Sequence, residues 1–284
     1  MEMVSVTDFV VIVLHWGRFE DTRDCIDSLL AQRGNFPILL VDNGTYEKRL
    51  GILTQNNLRV RLVSHDRNLG FAEGNNKAIK IAESLGVTKF LLLNNDTVVP
   101  SDSLQAILSC QKDPYELISP LQSDTGGEVT AASGRIVKPW YRPVLGQNEY
   151  QSKDFLSGYC LLISAKVFQE IGYFDPIYFL YYEDVDFCTR AKKHGFVLKN
   201  CVSVKVIHKE SFSKIPSPEK VYYTLRNNLF FIQRYAGILE KPFAYGYVIL
   251  LVAKIILFRH SFSYTASSML AVLDFILRIG GKRP

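Results

Sequence analysis

Four short, continuously apolar runs punctuate the first hundred residues: 9–14 (FVVIVL), 36–41 (FPILLV), 60–64 (VRLVS) and 90–93 (FLLL). Runs of this length, rich in branched and aromatic side chains, read as strands buried on both faces. Between them the apolar period changes to that of a helix. Residues 20–32 bring Cys25, Ile26, Leu29 and Leu30 to one face, and 72–85 do the same with Ala78, Ile81, Ala82 and Leu85. The alternation predicts an α/β fold with a Rossmann-like, mainly parallel central sheet flanked by helices.

After Pro100 the rhythm loosens. Residues 124–127 read as a turn, 138–147 as a mobile loop containing proline and aromatics, and 155–163 (FLSGYCLLI) as a further strand. A short helix over 166–171, a longer one over 184–193 stopped by Gly195, and a strand over 202–208 ending in His208 follow. From residue 217 the composition shifts. Residues 219–235 are aromatic and carry Arg226, Asn227, Asn228 and Arg234, while 243–258 (FAYGYVILLVAKIILF) and 263–279 are apolar helix candidates. A clean membrane span takes ~20 apolar residues. The run 243–258, with Lys254 inside it, is therefore expected either to lie in a membrane interface or to pack on the domain. Arg259, His260, Lys282 and Arg283 favour an anionic membrane surface.

Composition narrows the class. The 284 residues are 48% hydrophobic and 21% charged, which excludes a disordered chain. A formal net charge of +5, spread along the chain without a basic stripe, argues against a nucleic-acid partner. Five widely spaced cysteines without a CxxC pair read as reduced thiols of a cytoplasmic protein. Glu2 and Asp8 before the first apolar run, and His15-Trp16 after it, read as the surroundings of a strand and not of a secretory leader.

Candidate chemistry clusters where strands end. The run KFLLLNNDTVVP stops at Asn94-Asn95-Asp96, and a carboxylate there sits at the mouth of an open α/β sheet, where such sheets bind ligands. Asp96 suits a divalent cation that draws its other ligands from substrate phosphates, or else it caps a turn before Pro100. His208 is a further candidate ligand that would favour Mn²⁺ over Mg²⁺. Asp42 in VDNG either accepts a pyrimidine imide N–H or forms a turn with Asn43. The stretch Asn68 to Asn76, with Gly70 and Gly74, opens a helix whose N–H groups suit phosphate or polar nucleotide atoms. In FLYYEDVDF, the acids Glu183, Asp184 and Asp186 crowd a helix start behind Tyr181-Tyr182. Asp186 can pair with Arg190 at i,i+4, and crowding raises carboxylate pKa values, as a general base requires.

Together VDNG, NLGFAEGNN, LLLNNDTVVP, FLSGYCLLIS, FLYYEDVDFCTRAKKHGF and VIHKES resemble, in order and spacing, the motifs of family 2 glycosyltransferases of the GT-A fold. The branch most resembled is that of bacterial rhamnosyltransferase-like enzymes of surface-polysaccharide assembly, over about residues 8–235. The resemblance implies inverting sugar transfer from a nucleotide-diphosphate donor, with Mn²⁺ or Mg²⁺. It implies Asp184 as base with Glu183 and Tyr182 in support, and Asp96 with His208 at the metal. It also implies His15, Asp42, Asn43, Asn68, Gly70, Gly74, Asn75 and Asn95 around the nucleotide. Asn94 departs from the family's DXD pattern, which has Asp in that place. The expected donor is dTDP-rhamnose or a UDP-sugar, the acceptor a saccharide or lipid-linked saccharide, and the location the cytoplasm, at the inner membrane face. The expected division is a catalytic domain over 1–215, with nucleotide-binding (1–100) and acceptor-binding (101–215) parts, and a membrane-associating helical extension over 216–284.

Two rivals remain on sequence grounds. A sugar nucleotidyltransferase should show a Gly-rich, basic loop after the first strand, where His15-Trp16-Gly17-Arg18-Phe19 offers one glycine. A non-catalytic nucleotide-sugar-binding or scaffolding subunit is opposed by the retention of both Asp96 and Asp184.

Overall fold

All seven residues of β1 (Phe9–His15) are buried, as its continuous apolar run demands. The structure, a computed structural model, describes residues 8–55, 57–131, 133–146, 153–209, 216–259 and 261–283. Glu2, Gln147, the last two residues of VIHKES and His260, each part of an expectation above, lie outside the described residues. After β1 the chain runs through α1 (Phe19–Leu30), β2 (Ile38–Asp42), α2 (Leu50–Thr54), β3 (Val60–Ser64), α3 (Gly70–Ser84) and β4 (Lys89–Asn94). There follow β5 (Thr97–Val98), α4 (Ser103–Cys110), β6 (Glu116–Ser123), β7 (Val129–Ala131), β8 (Ser133–Val137) and β9 (Arg142–Gly146). Then come β10 (Cys160–Ser164), α5 (Ala165–Ile171), α6 (Glu183–Lys193) and β11 (Val197–His208), before α7 (Pro218–Tyr235), α8 (Lys241–Arg259) and α9 (Phe262–Ile276).

The central sheet has the order β3-β2-β1-β4-β10-β6-β11-β5, with β7 attached to β6. β1 is parallel to β2 and β4, with Val13 opposite Leu40 and Leu93. β10 runs antiparallel to β4, whereas β11 is parallel to β6. Alternate residues of β1 feed opposite faces. Val10, Ile12 and Leu14 pack among α3, α5, α6 and α7, while Phe9, Val11 and Val13 pack towards α1 and α4. Each such fully buried side chain contributes roughly 1.5–3 kcal/mol.

Local sequence sets the helix ends nearest the site. Gly70 opens α3 at φ +74°, and a Cβ there would lie 2.1 Å from the Phe179 carbonyl oxygen, so only glycine fits. α6 carries Glu183, Asp184 and Asp186 in its first turn and Arg190, Lys192 and Lys193 in its last, both favoured by the helix dipole. Ser217 caps α7 by accepting from the Lys220 N–H at 3.2 Å, with Pro218 in the first helical turn.

Three expectations are corrected. Residues 138–147, read as a mobile loop, contain β9, which pairs with β8 in a two-stranded hairpin. Cys110 and Cys201 form a disulfide, their Cα atoms 5.8 Å apart, because α4 lies on β11; only Cys25, Cys160 and Cys188 are free thiols, all buried. The strand read over 155–163 begins only at Cys160, since Phe155 turns aside to bridge Gly134 of the hairpin.

α8 packs on α7 and α9 along one side only, through Ala244 and Val248. Its stretch Lys241–Phe258 has mean hydropathy 1.7 and length enough to cross a membrane, yet only 11% of it is buried. With Phe243, Ile249, Leu250, Leu257 and Phe258 of α8 and Phe262, Met269 and Ile276 of α9, the two helices expose a broad apolar surface.

Candidate active site

The sheet brings together two acidic segments that lie far apart in sequence. The ladder between β5 and β11 sets Thr97 beside His208, and the Lys209 N–H donates to the Asp96 carbonyl at 2.8 Å. His208 Nε2 thereby comes within 3.1 Å of Asp96 Oδ1 and 3.4 Å of the Asn94 side-chain amide. The segment before β10 joins this half to the other. Asn94 donates its N–H to the Tyr159 carbonyl at 2.8 Å, and the neighbouring Gly158 N–H donates to Asp184 Oδ2 at 2.9 Å. Asn94, Gly158, Tyr159, Tyr182, Glu183, Asp184 and His208 thus share one cavity of about 400 Å³.

Asp184 faces that cavity partly exposed, with Oδ1 accepting from its neighbour's N–H at Val185, 2.8 Å away. Burial raises its pKa, and the two backbone donors offset part of the rise. Glu183 is deeper. Desolvation first, then the neighbouring Asp184 charge, hold its pKa well above the ordinary range, and its Oε2 has no hydrogen-bond partner among the described residues. Of the two, Glu183 is the one that keeps its proton. Such pairs with separated affinities are how acid and base roles are divided.

The backbone leading into α6 is strained. Tyr181 and Tyr182 adopt φ of +68° and +76°, uncommon for bulky residues and held only where the surroundings enforce it. Asn227 of α7, fully buried, supplies that enforcement by donating to the Leu180 and Tyr181 carbonyls at 2.9 and 2.7 Å. Asp186 anchors the same helix from below. It accepts from Arg190, as its i,i+4 spacing predicted, and also from Arg234 at 2.9 Å and the Tyr235 hydroxyl at 2.7 Å.

The donor-side candidates mostly bond to other groups of the protein. Asp42 Oδ1 accepts from the backbone and hydroxyl of Thr45 at 2.8 and 2.6 Å, the turn its type favours. Asn43 donates to Asn68 Oδ1 and the Gly70 carbonyl and accepts from the Leu69 N–H. Asn75 is buried and donates to the Phe71 carbonyl, while Gly74 lets Leu14 approach α3. Asn95 donates to Thr22 Oγ1 at 2.8 Å, and His15 Nδ1 shares a hydrogen bond with the same hydroxyl at 2.6 Å. His15 is fully buried, and desolvation lowers its pKa against the pull of Asp42.

Among the described residues no group of three or more His, Cys, Asp or Glu converges as a metal cage. The Asp96 carboxylate and the His208 imidazole nonetheless fit a divalent ion that takes its other ligands from a diphosphate and water. Sequence reasoning missed Gln122, Lys220 and Thr224, which line the cavity, and Asn227, which holds its strained rim. The signal for Asn227 was there: three consecutive polar residues, Arg226-Asn227-Asn228, inside an aromatic helix.

The model of the family described as "Glycosyl transferase family 2" matches residues 10–172, more than half of the chain. The N-acetylglucosaminyl-diphospho-decaprenol L-rhamnosyltransferase of Mycobacterium tuberculosis is 26% identical over 245 residues, 75% of this chain and 80% of its own. The dTDP-rhamnosyl transferase RfbF of Shigella flexneri is 24% identical over 296 residues, 96% of each chain. The solved structure of GalNAc-T7 with UDP, GalNAc and Mn²⁺ superposes with a TM-score of 0.65 at 14% identity. That match covers 96% of this chain, which spans 55% of the neighbour's length, and it identifies the fold as GT-A.

Proposed function

The chain belongs to glycosyl transferase family 2 and resembles its rhamnosyltransferase-like branch, and from this we propose that it transfers a sugar with inversion. The donor is a nucleotide-diphosphate sugar and the acceptor a hydroxyl of a saccharide or lipid-linked saccharide in surface-polysaccharide assembly. The observation that carries the reading is the shared cavity, in which an acid of raised pKa, Asp184, opens opposite the Asn94–His208 wall tied to Asp96.

In this reading Asp184 takes the proton of the acceptor hydroxyl as that oxygen attacks the anomeric carbon, on the face opposite the departing diphosphate. One base on one face gives a single displacement, hence inversion. Glu183, neutral, adds no second negative charge to the attacking oxygen, and Tyr182 supplies an apolar wall for the sugar ring. Asp96 and His208 would hold Mn²⁺ or Mg²⁺, which when bound neutralises charge on the leaving diphosphate. Asp42, Asn68 and His15 lie where the sheet's carboxyl edge would receive the nucleotide. The name of the Shigella relative favours dTDP-rhamnose over a UDP-sugar, and that of the mycobacterial relative favours a lipid-linked acceptor. The exposed apolar surface of α8 and α9 supports peripheral docking at the cytoplasmic membrane face. Residues 1–215 then form the catalytic domain and 216–284 its membrane-associating extension.

Asp184→Asn tests the assignment. We expect donor affinity within threefold of wild type and transfer reduced by about 10²–10⁴-fold, the usual contribution of a general base. Near-wild-type turnover in a sugar-nucleotide transfer assay would refute it. The raised pKa also fixes a sign. Transfer should fall on the acid side as Asp184 protonates, with the midpoint above the ordinary carboxylate range.

A further inference from the structure

A second cavity, of about 430 Å³, lies beside the donor-side loops and apart from Asp184. It is lined by Arg67 and Asn68 before α3, Glu73 in the first turn of α3, Phe179, and Lys282 and Arg283 near the end of the chain. Three cations face one carboxylate. Among the described residues Arg67 and Lys282 have no hydrogen-bonding or ionic partner, and both are exposed. Arg283 is only loosely engaged, with Nε 3.8 Å from Asp274 and its guanidinium 5.4 Å from the Tyr222 ring centre.

Residues 280–283 are fixed at this place from α7 and from the segment around Ile177. Arg226 is fully buried, a costly position for a cation unless its donors are met. They are met largely by backbone: the Gly281 carbonyl at 2.8 Å and the Ile177 carbonyl at 3.2 Å, with Asn227 Oδ1 and the Tyr222 hydroxyl completing the set. The Gly281 N–H donates to the same Ile177 carbonyl at 2.9 Å. A Cβ on Gly280 would lie 2.4 Å from the Ile177 side chain, and Gly281 sits at φ +70°. A buried arginine and two glycines thus position Lys282 and Arg283 over the loop bearing Arg67. Pre-positioned cations with unused donors suit phosphate, whose oxygens accept the planar guanidinium fork in pairs.

We propose that this cavity is a phosphate-binding site in which Arg67, Lys282 and Arg283 hold a phosphoester or diphosphate group. The group comes from one of two sources: a soluble phosphoester or diphosphate, or the headgroup of an anionic lipid. The second source has support in the fold, since exposed Met269, Leu273 and Ile276 of α9 and Leu277 after it lead towards Lys282 and Arg283. The site stands whether or not Asp184 is the base of sugar transfer.

The test has two arms on the full chain, both without divalent metal. One titrates inorganic pyrophosphate calorimetrically. The other floats the protein on phosphatidylcholine vesicles with and without phosphatidylglycerol, and reads the increment due to the anionic lipid. In the Arg67→Gln/Lys282→Gln variant at least one arm should weaken tenfold or more, the affected arm naming the source. Asp184→Asn should leave both arms unchanged, which separates this site from the transfer cavity. Affinity should also fall as salt rises, because exposed charges are screened beyond ~10 Å at 0.1 M ionic strength. Both substituted side chains are exposed, and a wild-type melting temperature will show that the fold is intact; Lys282→Gln alone gives a milder second variant. Wild-type behaviour of the double variant in both arms, or absence of both interactions in the wild type, overturns the proposal.

Discussion

The donor-side loops and the rim of α6 are both rich in polar residues, but they leave those residues in opposite conditions. Around Asn43 and Asn68 the side chains are occupied with each other and with backbone, so that β2, β3 and α3 are joined into one unit. Around α6 and β11, Glu183 Oε2 and His208 Nδ1 are buried without partners among the described residues, and two tyrosines are held at positive φ. Buried polar groups are ordinarily paired, and unmet valence with backbone strain collects where a protein acts on something else. The density of asparagines marks scaffold here. Leftover valence combined with strain sets the cavity rim apart, with His15 Nε2 its one donor-side counterpart among the described residues; Gln111 Oε1, Ser133 Oγ and Tyr178 Oη, also unpartnered there, lie outside the cavity.

Asn43→Ala tests the scaffold half and carries the largest expected effect on stability. It removes three hydrogen bonds and leaves the Leu69 N–H without its acceptor, a loss of about 2–3 kcal/mol. Urea unfolding should show that loss, while calorimetry on the folded variant finds donor affinity within threefold of wild type. The opposite pattern, intact stability with donor affinity down tenfold or more, would move Asn43 from scaffold to site and dissolve the contrast.

How much was legible beforehand follows the same division. Buried strands announce themselves, because a run such as residues 9–14 has one stable use, and the order of β1 to β4 followed from it. The cavity-facing strand ends at Asn94 and His208 were legible for the same reason. The β8–β9 hairpin was not, since Pro143 and flanking turn residues mask a short edge ribbon whose partner alone reveals it. The Cys110–Cys201 bond was hidden because pairing across 91 residues depends on how α4 settles on β11. The strain at Tyr181 and Tyr182 was equally hidden. It goes with contacts from Asn227, far along the chain, which holds the Leu180 and Tyr181 carbonyls.

Glu183→Gln sharpens the site half. The folded pKa of Glu183 is raised, so the folded state keeps a proton that the unfolded chain releases near the ordinary carboxylate value. Its contribution is therefore full at low pH and declines as pH rises through the neutral range, by up to about 1.4 kcal/mol per pH unit. In the glutamine variant that decline should vanish, so that wild type loses stability relative to the variant between pH 5 and 7. Parallel stability–pH curves would mean that Glu183 has found a partner and is not an open group.

Asn94→Asp asks how open the other wall is, and its expected effect is the smallest. A metal on His208 Nε2 requires the proton on Nδ1, which is buried with no acceptor among the described residues, a penalty of about 1–3 kcal/mol against ligation. Asp96 then bears most of the metal's charge, and Asn94 beside it contributes no carboxylate. Restoring the acid should tighten Mn²⁺ binding in the presence of a nucleoside diphosphate by about tenfold, equivalent to about 1.4 kcal/mol. The same change should lower stability slightly without metal, since two carboxylates at one wall repel. Calorimetry with and without Mn²⁺ separates the two effects. If the affinity does not move, this wall takes no metal from its own side chains. His208 then serves only to hold Asp96, and the Asp96–His208 pair belongs with the closed donor loops instead of the open rim.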